Sequence, residues 1–336
     1  MTEPALDQVC IFGAGAVGGH LAARLAASGR IRVSVVARGP MLRAIRERGL
    51  TVLYDDGSQL QGRPDQVTDD ASELPPQRLV VVTLKAWQAP RSAQTIARLL
   101  APDGIAVFAL NGIPWWWRYG GSESPGPLPL VDPAGALWST IGPERALGAV
   151  IRSPNEVIEP GVIRHHGANR FIIGEPNGQD SARLKHVVAS LVRGDVDAVA
   201  TTQLRRETLS KLVLNVSGNV LTALTRRDLY QVGADPALRT LSMALMREAV
   251  SVSAALGFDL SGEIDLETIS GRAPPGTRPS MLQDVIAGRP IESEAIMGQL
   301  HAFATERSIP VPTMDLMLPL LRGLDVSLRE AIGAGG

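Results

Sequence analysis

The stretch Val9-Cys10-Ile11-Phe12-Gly13-Ala14-Gly15-Ala16-Val17-Gly18 decides the fold. Four apolar residues run straight into glycines, and residues 17–28 behind them read as a helix stopped by Gly29. A strand, a GxGxxG turn and a helix in that order open a dinucleotide-binding domain, whereas the same glycines without that context are only a tight turn. Gly13 permits the turn, Gly15 lets the backbone approach a pyrophosphate, and Gly18 lets helix and sheet pack closely. The helix start at Ala16 and Val17 then offers unpaired N–H groups to phosphate.

Outward from this motif the pattern repeats. Residues 32–37 are a β-branched run, 41–48 a short helix, and 79–84 (Leu-Val-Val-Val-Thr-Leu) and 105–110 are apolar enough for central parallel strands covered on both faces. Alternating strands and helices imply a doubly wound α/β sheet of Rossmann type. Residues 115–143 are dense in glycine and proline and read as a long loop region. Residues 149–173 are β-rich around a Pro160-Gly161 turn, and 181–193 are helical. Beyond Thr202 helical periodicity takes over, through 204–225, 236–256, 282–306 and 313–323. The expected division is a Rossmann-type domain over 1–203 and an all-helical domain over 204–336, with a frayed end at 333–336.

With 336 residues and a net charge of −1, the chain has room for two domains and no electrostatic footprint for nucleic acid or an anionic membrane. Its start, Met-Thr-Glu-Pro, lacks the features of a secretion signal, and no apolar run is long enough to span a bilayer, so a cytoplasmic protein is expected. Cys10 is the single cysteine and cannot form an internal disulfide. No metal site is expected. His165 and His166 are neighbours on a predicted strand and point to opposite faces, and Asp55-Asp56 and Asp69-Asp70 read as solvated turns. No GxSxG or zinc-type spacing suggests hydrolytic chemistry.

Two further features bear on chemistry. Where NAD-binding chains place a carboxylate for the ribose 2′-hydroxyl, this one has Val36-Ala37-Arg38-Gly39. A guanidinium can pair with a 2′-phosphate that a carboxylate would repel, which points to NADP(H). The other reading is a solvent-facing arginine after a strand. Lys211, Asn215 and Asn219 are spaced i, i+4, i+8 on a helix whose other neighbours are apolar (Leu212, Val213, Leu214, Val216, Val220, Leu221). Buried polar groups need partners, so the face lines a polar pocket, or else Lys211 reaches solvent and the asparagines hold loops.

These blocks, in order, resemble the ketopantoate reductase (2-dehydropantoate 2-reductase) family over about residues 8–325. They are the glycine turn from Phe12 to Gly19, Thr83-Leu-Lys85-Ala-Trp-Gln88, Asn111-Gly112, Lys211 with Asn215 and Asn219, and Ser280-Met-Leu-Gln-Asp284 followed by Glu292. The resemblance implies an NADPH-dependent reductase of a 2-oxo acid, first of all ketopantoate in pantothenate biosynthesis. It also implies a helical domain like the C-terminal domain of 6-phosphogluconate dehydrogenase. By it, Lys211 is the catalytic lysine and Glu292 its acidic partner, with Glu294 two residues on as a competitor. Asn215, Asn219 and Ser280 hold the substrate, Ser280 also being placed to cap a helix. Lys85 and Asn111 lie about the cofactor with Gly13, Gly15, Ala16, Val17, Gly18 and Arg38, although Asn111-Gly112 could be only a turn. A homodimer is expected by analogy. The alternatives are a relative acting on another branched or aromatic 2-oxo acid and a dinucleotide-binding sensor without turnover. The chain departs from the family pattern at Thr277-Arg278-Pro279, beside the expected substrate site, and at Trp115-Trp116-Trp117, which could line a pocket, form a subunit contact or fill the core.

Overall fold

A computed structural model describes residues 6–121, 123–265 and 273–334. The chain divides into two compact units, Met1–Arg205 and Arg206–Gly336. The division falls inside one helix, two residues beyond the boundary read from the sequence.

The first unit is built on an eight-stranded sheet. Its strands are β1 (Gln8–Phe12), β2 (Arg32–Val36), β5 (Gln66–Thr68), β6 (Gln77–Val82), β7 (Leu100–Phe108), β8 (Ala146–Arg152), β11 (Arg170–Gly174) and β12 (Asp197–Thr201), in the spatial order β12-β11-β8-β7-β6-β1-β2-β5. Neighbours are parallel except β8 and β11. In β1 and β6 consecutive side chains from Val9 to Ile11 and from Leu79 to Val82 are all buried, so both faces are covered, which is why these strands read as unbroken apolar runs. Helices α1 (Ala16–Ser28), α2 (Gly39–Arg48), α3 (Ala93–Leu99), α4 (Ala136–Thr140) and α5 (Ala182–Arg193) accompany the sheet. Gly29, at φ 65°, closes α1 as expected.

A second sheet was not anticipated. Strands β3 (Leu50–Leu53), β4 (Gln59–Gly62), β9 (Asn155–Glu159) and β10 (Val162–His165) form two antiparallel hairpins joined by parallel pairing of β3 with β10. It packs on α1 through glycines. A Cβ on Gly62 would run into the backbone of Ala23, and one on Gly19 would lie 2.9 Å from Ile163 Cδ1. The Gly/Pro-rich stretch after β7 contains α4, and its three tryptophans are buried, at 1%, 1% and 4% exposure. Of the three readings of this cluster, the core is the one the structure shows.

In the second unit the described residues form helices and no strands. They are α6 (Leu204–Thr225, which begins in the first unit), α7 (Leu229–Ala234), α8 (Pro236–Ala255), α9 (Ser280–Ile286), a π-helical turn (Glu294–Gly298), α10 (Gln299–Glu306) and α11 (Pro312–Ala334). The helix expected over 282–306 is broken. Gly288, in the left-handed region at φ 64°, and Pro290 end α9, and Glu292 lies in the gap before helical structure resumes. The last helix runs further than expected, through Pro319 and Gly323; Gly335 and Gly336 lie outside the described residues.

Candidate active site

In the first unit the glycine turn lies between the carboxyl ends of β1 and β6. These strands are adjacent although the chain leaves β1 for β2 on the other side, and such reversal points are where open α/β sheets bind ligands. Gly13 has φ 105°, a conformation that costs other residues strain, and its N–H donates to Val36 O at 2.9 Å. Gly18 has no room for a side chain, because a Cβ would meet Gly13 O and Thr83 Oγ1. Thr83 clamps the turn from β6: its hydroxyl donates to Gly13 O at 2.5 Å and its N–H to Phe12 O at 3.0 Å. Gly15 is the opposite case. A Cβ there would touch nothing within 4 Å, and no side chain caps the helix that starts at Ala16. Closed at Gly18 and open at Gly15, the turn fits a dinucleotide pyrophosphate.

Arg38 stands at the end of β2 as the N-cap residue of α2. It is exposed, makes no ion pair among the described residues, and has no carboxylate beside it in Val36-Ala37-Arg38-Gly39-Pro40. Those properties suit a 2′-phosphate. Lys85 and Asn111 follow β6 and β7 at the same edge of the sheet, both half-buried, and the Lys85 N–H donates to Gln88 Oε1 at 3.1 Å. Gly112 has φ 84°, in the left-handed region, and the chain bends at Asn111-Gly112, three residues beyond β7. Burial pushes the Cys10 thiol up to about 12, so it is no nucleophile.

In the second unit Lys211 and Asn215 are half-buried and Asn219 is buried on one face of α6, while Leu212, Val213, Val216 and Val220 pack on the others at 1% exposure or less. Asn219 Oδ1 accepts the Met281 N–H at 3.2 Å. Ser280 is not the cap of α9: Pro279 occupies that position and Ser280 is the first helical residue. Glu292 is buried at 5% exposure. Its segment is anchored by Ile291 N–H, which donates to Asp325 Oδ1 at 2.9 Å, while Arg329 holds the other oxygen of Asp325 at 2.9 Å. The competitor Glu294 is committed elsewhere, accepting both Nε and Nη2 of Arg322 at 2.7 and 2.8 Å. The two acidic residues thus separate into a surface ion pair and a buried carboxylate beside a π-helical turn, a distortion common at functional positions.

These blocks lie within the stretches of the chain that match known proteins. Residues 9–178 match the family model described as Ketopantoate reductase PanE/ApbA, and residues 203–325 match its C-terminal counterpart. The chain belongs to the ketopantoate reductase family. A 2-dehydropantoate 2-reductase of Mesorhizobium japonicum is 38% identical over 322 residues, covering 95% of this chain and 98% of that protein. A solved structure assigned to the ketopantoate reductases of Ralstonia solanacearum is 32% identical with a TM-score of 0.87, covering 96% and 99% of the two chains. The 2-dehydropantoate 2-reductase of Geobacter metallireducens gives 28% and 0.80 over 94% and 99%. The protein is therefore an oxidoreductase of this NADPH-using family. A D-mandelate dehydrogenase, at 20% identity and a TM-score of 0.80, shares the fold.

Thr83 is the functional position that the sequence reading passed over. It stands in the quoted block Thr83-Leu-Lys85, but a hydroxyl at a strand end has no spacing that links it to Gly13, 70 residues away. Of the neighbouring histidines, only His165 is a packing element. His165 is buried, its ring stacked on His20 at 4.6 Å, with Nδ1 2.9 Å from Asn155 Oδ1; His166 turns outward to Asp55.

Proposed function

We propose that this enzyme reduces 2-dehydropantoate to pantoate with NADPH, in pantothenate biosynthesis. The polar ladder of α6 carries the reading: a lysine and an asparagine kept half-buried among the apolar side chains of Leu212, Val213, Val216 and Val220, in a chain 38% identical to a 2-dehydropantoate 2-reductase. Residues 1–203 hold the dinucleotide, with the backbone at Gly13, Gly15, Ala16, Val17 and Gly18 on the pyrophosphate, Arg38 on the 2′-phosphate, and Lys85 and Asn111 about its reactive end. Residues 204–336 supply the substrate and acid–base groups. NADPH, when bound, supplies the hydride that goes to the carbonyl carbon. Lys211 holds the carbonyl oxygen and gives it a proton as negative charge develops there. Glu292, with its carboxylate out of solvent, keeps the lysine charged against the effect of burial. Asn215, Asn219 and Ser280 hold the substrate's carboxylate and hydroxyl. One carbonyl becomes one secondary alcohol, and Lys211 recovers its proton from water.

The unpaired thiol of Cys10 accords with a reducing, cytoplasmic setting. We further infer a homodimer: Leu316, Leu320 and Val326 on α11 are 69%, 57% and 52% exposed, and a Staphylococcus aureus relative of the same fold is described as dimeric. Sedimentation of the purified protein as a monomer at all concentrations would remove that inference.

The decisive experiment follows NADPH absorbance with 2-dehydropantoate, a straight-chain 2-oxo acid and an aromatic 2-oxo acid. The highest kcat/KM is expected for 2-dehydropantoate. Preference for the aromatic acid would transfer the assignment to a different 2-oxo acid, an outcome to which the Thr277-Arg278-Pro279 departure draws attention. Tight NADPH binding with no turnover of any substrate would make the protein a dinucleotide sensor.

A further inference from the structure

The side chain of Thr83 stands where β6 meets the glycine turn. Strands β1 and β6 are parallel with Phe12 opposite Val82, the last residue of each, so Gly13 and Thr83 are the next pair in register. The Thr83 N–H continues the ladder to Phe12 O at 3.0 Å. Its branched Cβ leaves little freedom about χ1, and its hydroxyl lies 2.5 Å from Gly13 O and 3.4 Å from Phe12 O. Both neighbours are carbonyl oxygens, so the hydroxyl is the donor, and the nearer carbonyl takes its single proton. None is left for a phosphate oxygen, which accepts and does not donate. There is no slack around this bond. A Cβ on Gly13 would lie 2.9 Å from Leu84 Cδ2, and one on Gly18 would run into both Gly13 O and Thr83 Oγ1. The bond fills the space that the third glycine leaves free.

We infer that Thr83 is a positioning residue for the dinucleotide. Its hydroxyl pins the Gly13 peptide to β6, and so fixes the direction in which the backbone at Gly15 and the free N–H groups at the start of α1 face the pyrophosphate, without donating to it. The affinity consequence rests on the cofactor reading above; the clamp itself does not. Four variants test it. Thr83→Val keeps the branched shape and removes the proton, Thr83→Ser keeps the proton and removes the methyl, and Gly18→Ala is made alone and together with Thr83→Val.

The Kd of NADPH is measured by calorimetry, which needs no turnover. Thr83→Val is expected to weaken NADPH about tenfold, the most that one neutral hydrogen bond ordinarily carries. KM for NADPH should rise in step, and by more than KM for the 2-oxo acid. Tm is expected to fall by about 3 °C, the scale of one lost hydrogen bond in a unit of this size. Thr83→Ser is expected to keep Kd within about twofold, because the proton is retained. In the double variant the loss of affinity should be less than the product of the two single losses, since both changes act on one turn. An unchanged Kd in Thr83→Val overturns the inference, and so does a Thr83→Ser as weak as Thr83→Val, which would put the effect in the methyl. A double-variant loss equal to the product would show the hydroxyl acting apart from the turn and also overturns it. If the wild type does not bind NADPH, the cofactor reading fails, while the Tm of Thr83→Val against Thr83→Ser still decides the clamp. Should Thr83→Val not yield soluble protein, Thr83→Ser carries the test, and a tenfold weaker NADPH in it, about 1.4 kcal/mol, would count against the hydroxyl.

Discussion

Helices α1 and α6 both carry polar side chains among apolar ones, and they use them in opposite ways. On α1, His20 is fully buried, with neither ring nitrogen hydrogen-bonded among the described residues and its face against His165. Burial first, then the neighbouring His165 and Arg24, push its pKa down to about 3, so it packs as a neutral ring. The cofactor role we propose for this region falls where side chains are missing, at Gly13 and Gly15 ahead of α1 and at Gly18 within it. On α6 the polar groups recur every four residues along one face, and one of them already ties two helices together. A buried ring with no polar partner among the described residues packs as an apolar group, whereas the ladder on α6 is the face to which we assign a polar ligand.

The sharpest way to break this contrast is Lys211→Ala. It is expected to lower kcat by about 10² or more, the scale of losing one general acid or oxyanion donor. A kcat near that of the wild type would reduce the α6 ladder to packing. The α1 side is probed by a pair of glycine changes. Gly18→Ala forces a methyl into Gly13 O and Thr83 Oγ1 and is expected to cost about 1–3 kcal/mol of stability in urea unfolding, along with NADPH binding. Gly15→Ala, made where a Cβ meets nothing, should leave stability alone and weaken NADPH about tenfold, roughly 1.4 kcal/mol by calorimetry. If both variants behave alike, the turn is not split into a closed and an open glycine.

Arg38→Asp is a test of similar size. It should lower NADPH affinity about tenfold and improve NADH by comparison, as exchange of a guanidinium for a carboxylate at a phosphate demands. The last test concerns His20. Its folded value lies below the unfolded 6.5, so as pH falls the unfolded chain takes up the proton first. Stability is full above about pH 6.5 and falls as the pH drops toward about 3, by no more than about 1.4 kcal/mol per pH unit for this proton. His165 is shifted the same way, chiefly by burial. Thermal scans below pH 6.5 should show a shallower slope for His20→Leu than for the wild type; equal slopes would leave the stacked pair without its assigned role in acid sensitivity.

How much of this could be read from residues alone differed by region. The start of the Rossmann unit was legible because its signals are local: strand, glycines and helix follow within 21 residues, from Gln8 to Ser28. Helix α6 was legible for the same reason. The second sheet was not, since β4 (Gln-Leu-Gln-Gly) has little β character and β10 finds β3 more than 100 residues away. Such pairing is set by tertiary context. The site residues split likewise. Glu292 could be named from motif order, but that it is buried while Glu294 pairs with Arg322 depends on α11. The bond to the Met281 N–H depended on which of three asparagine and serine side chains reached it, and spacing carries no information about that.

The connection between the parallel strands β7 and β8 shows what such a linker can become. Trp115 packs edge-on against Phe108 at 5.2 Å, a Cβ on Gly148 would run into the Trp116 ring, and Arg205 fastens the segment by donating to Trp117 O and Tyr119 O at 2.8 and 2.6 Å. Where a crossover would ordinarily lay a full helix over the sheet, the five residues of α4 and a set of indoles close the layer. Trimming this glycine- and proline-rich stretch to a short linker would therefore open a hole the volume of several tryptophans. Any homologue that makes the same passage in fewer residues has to refill that space with side chains from elsewhere.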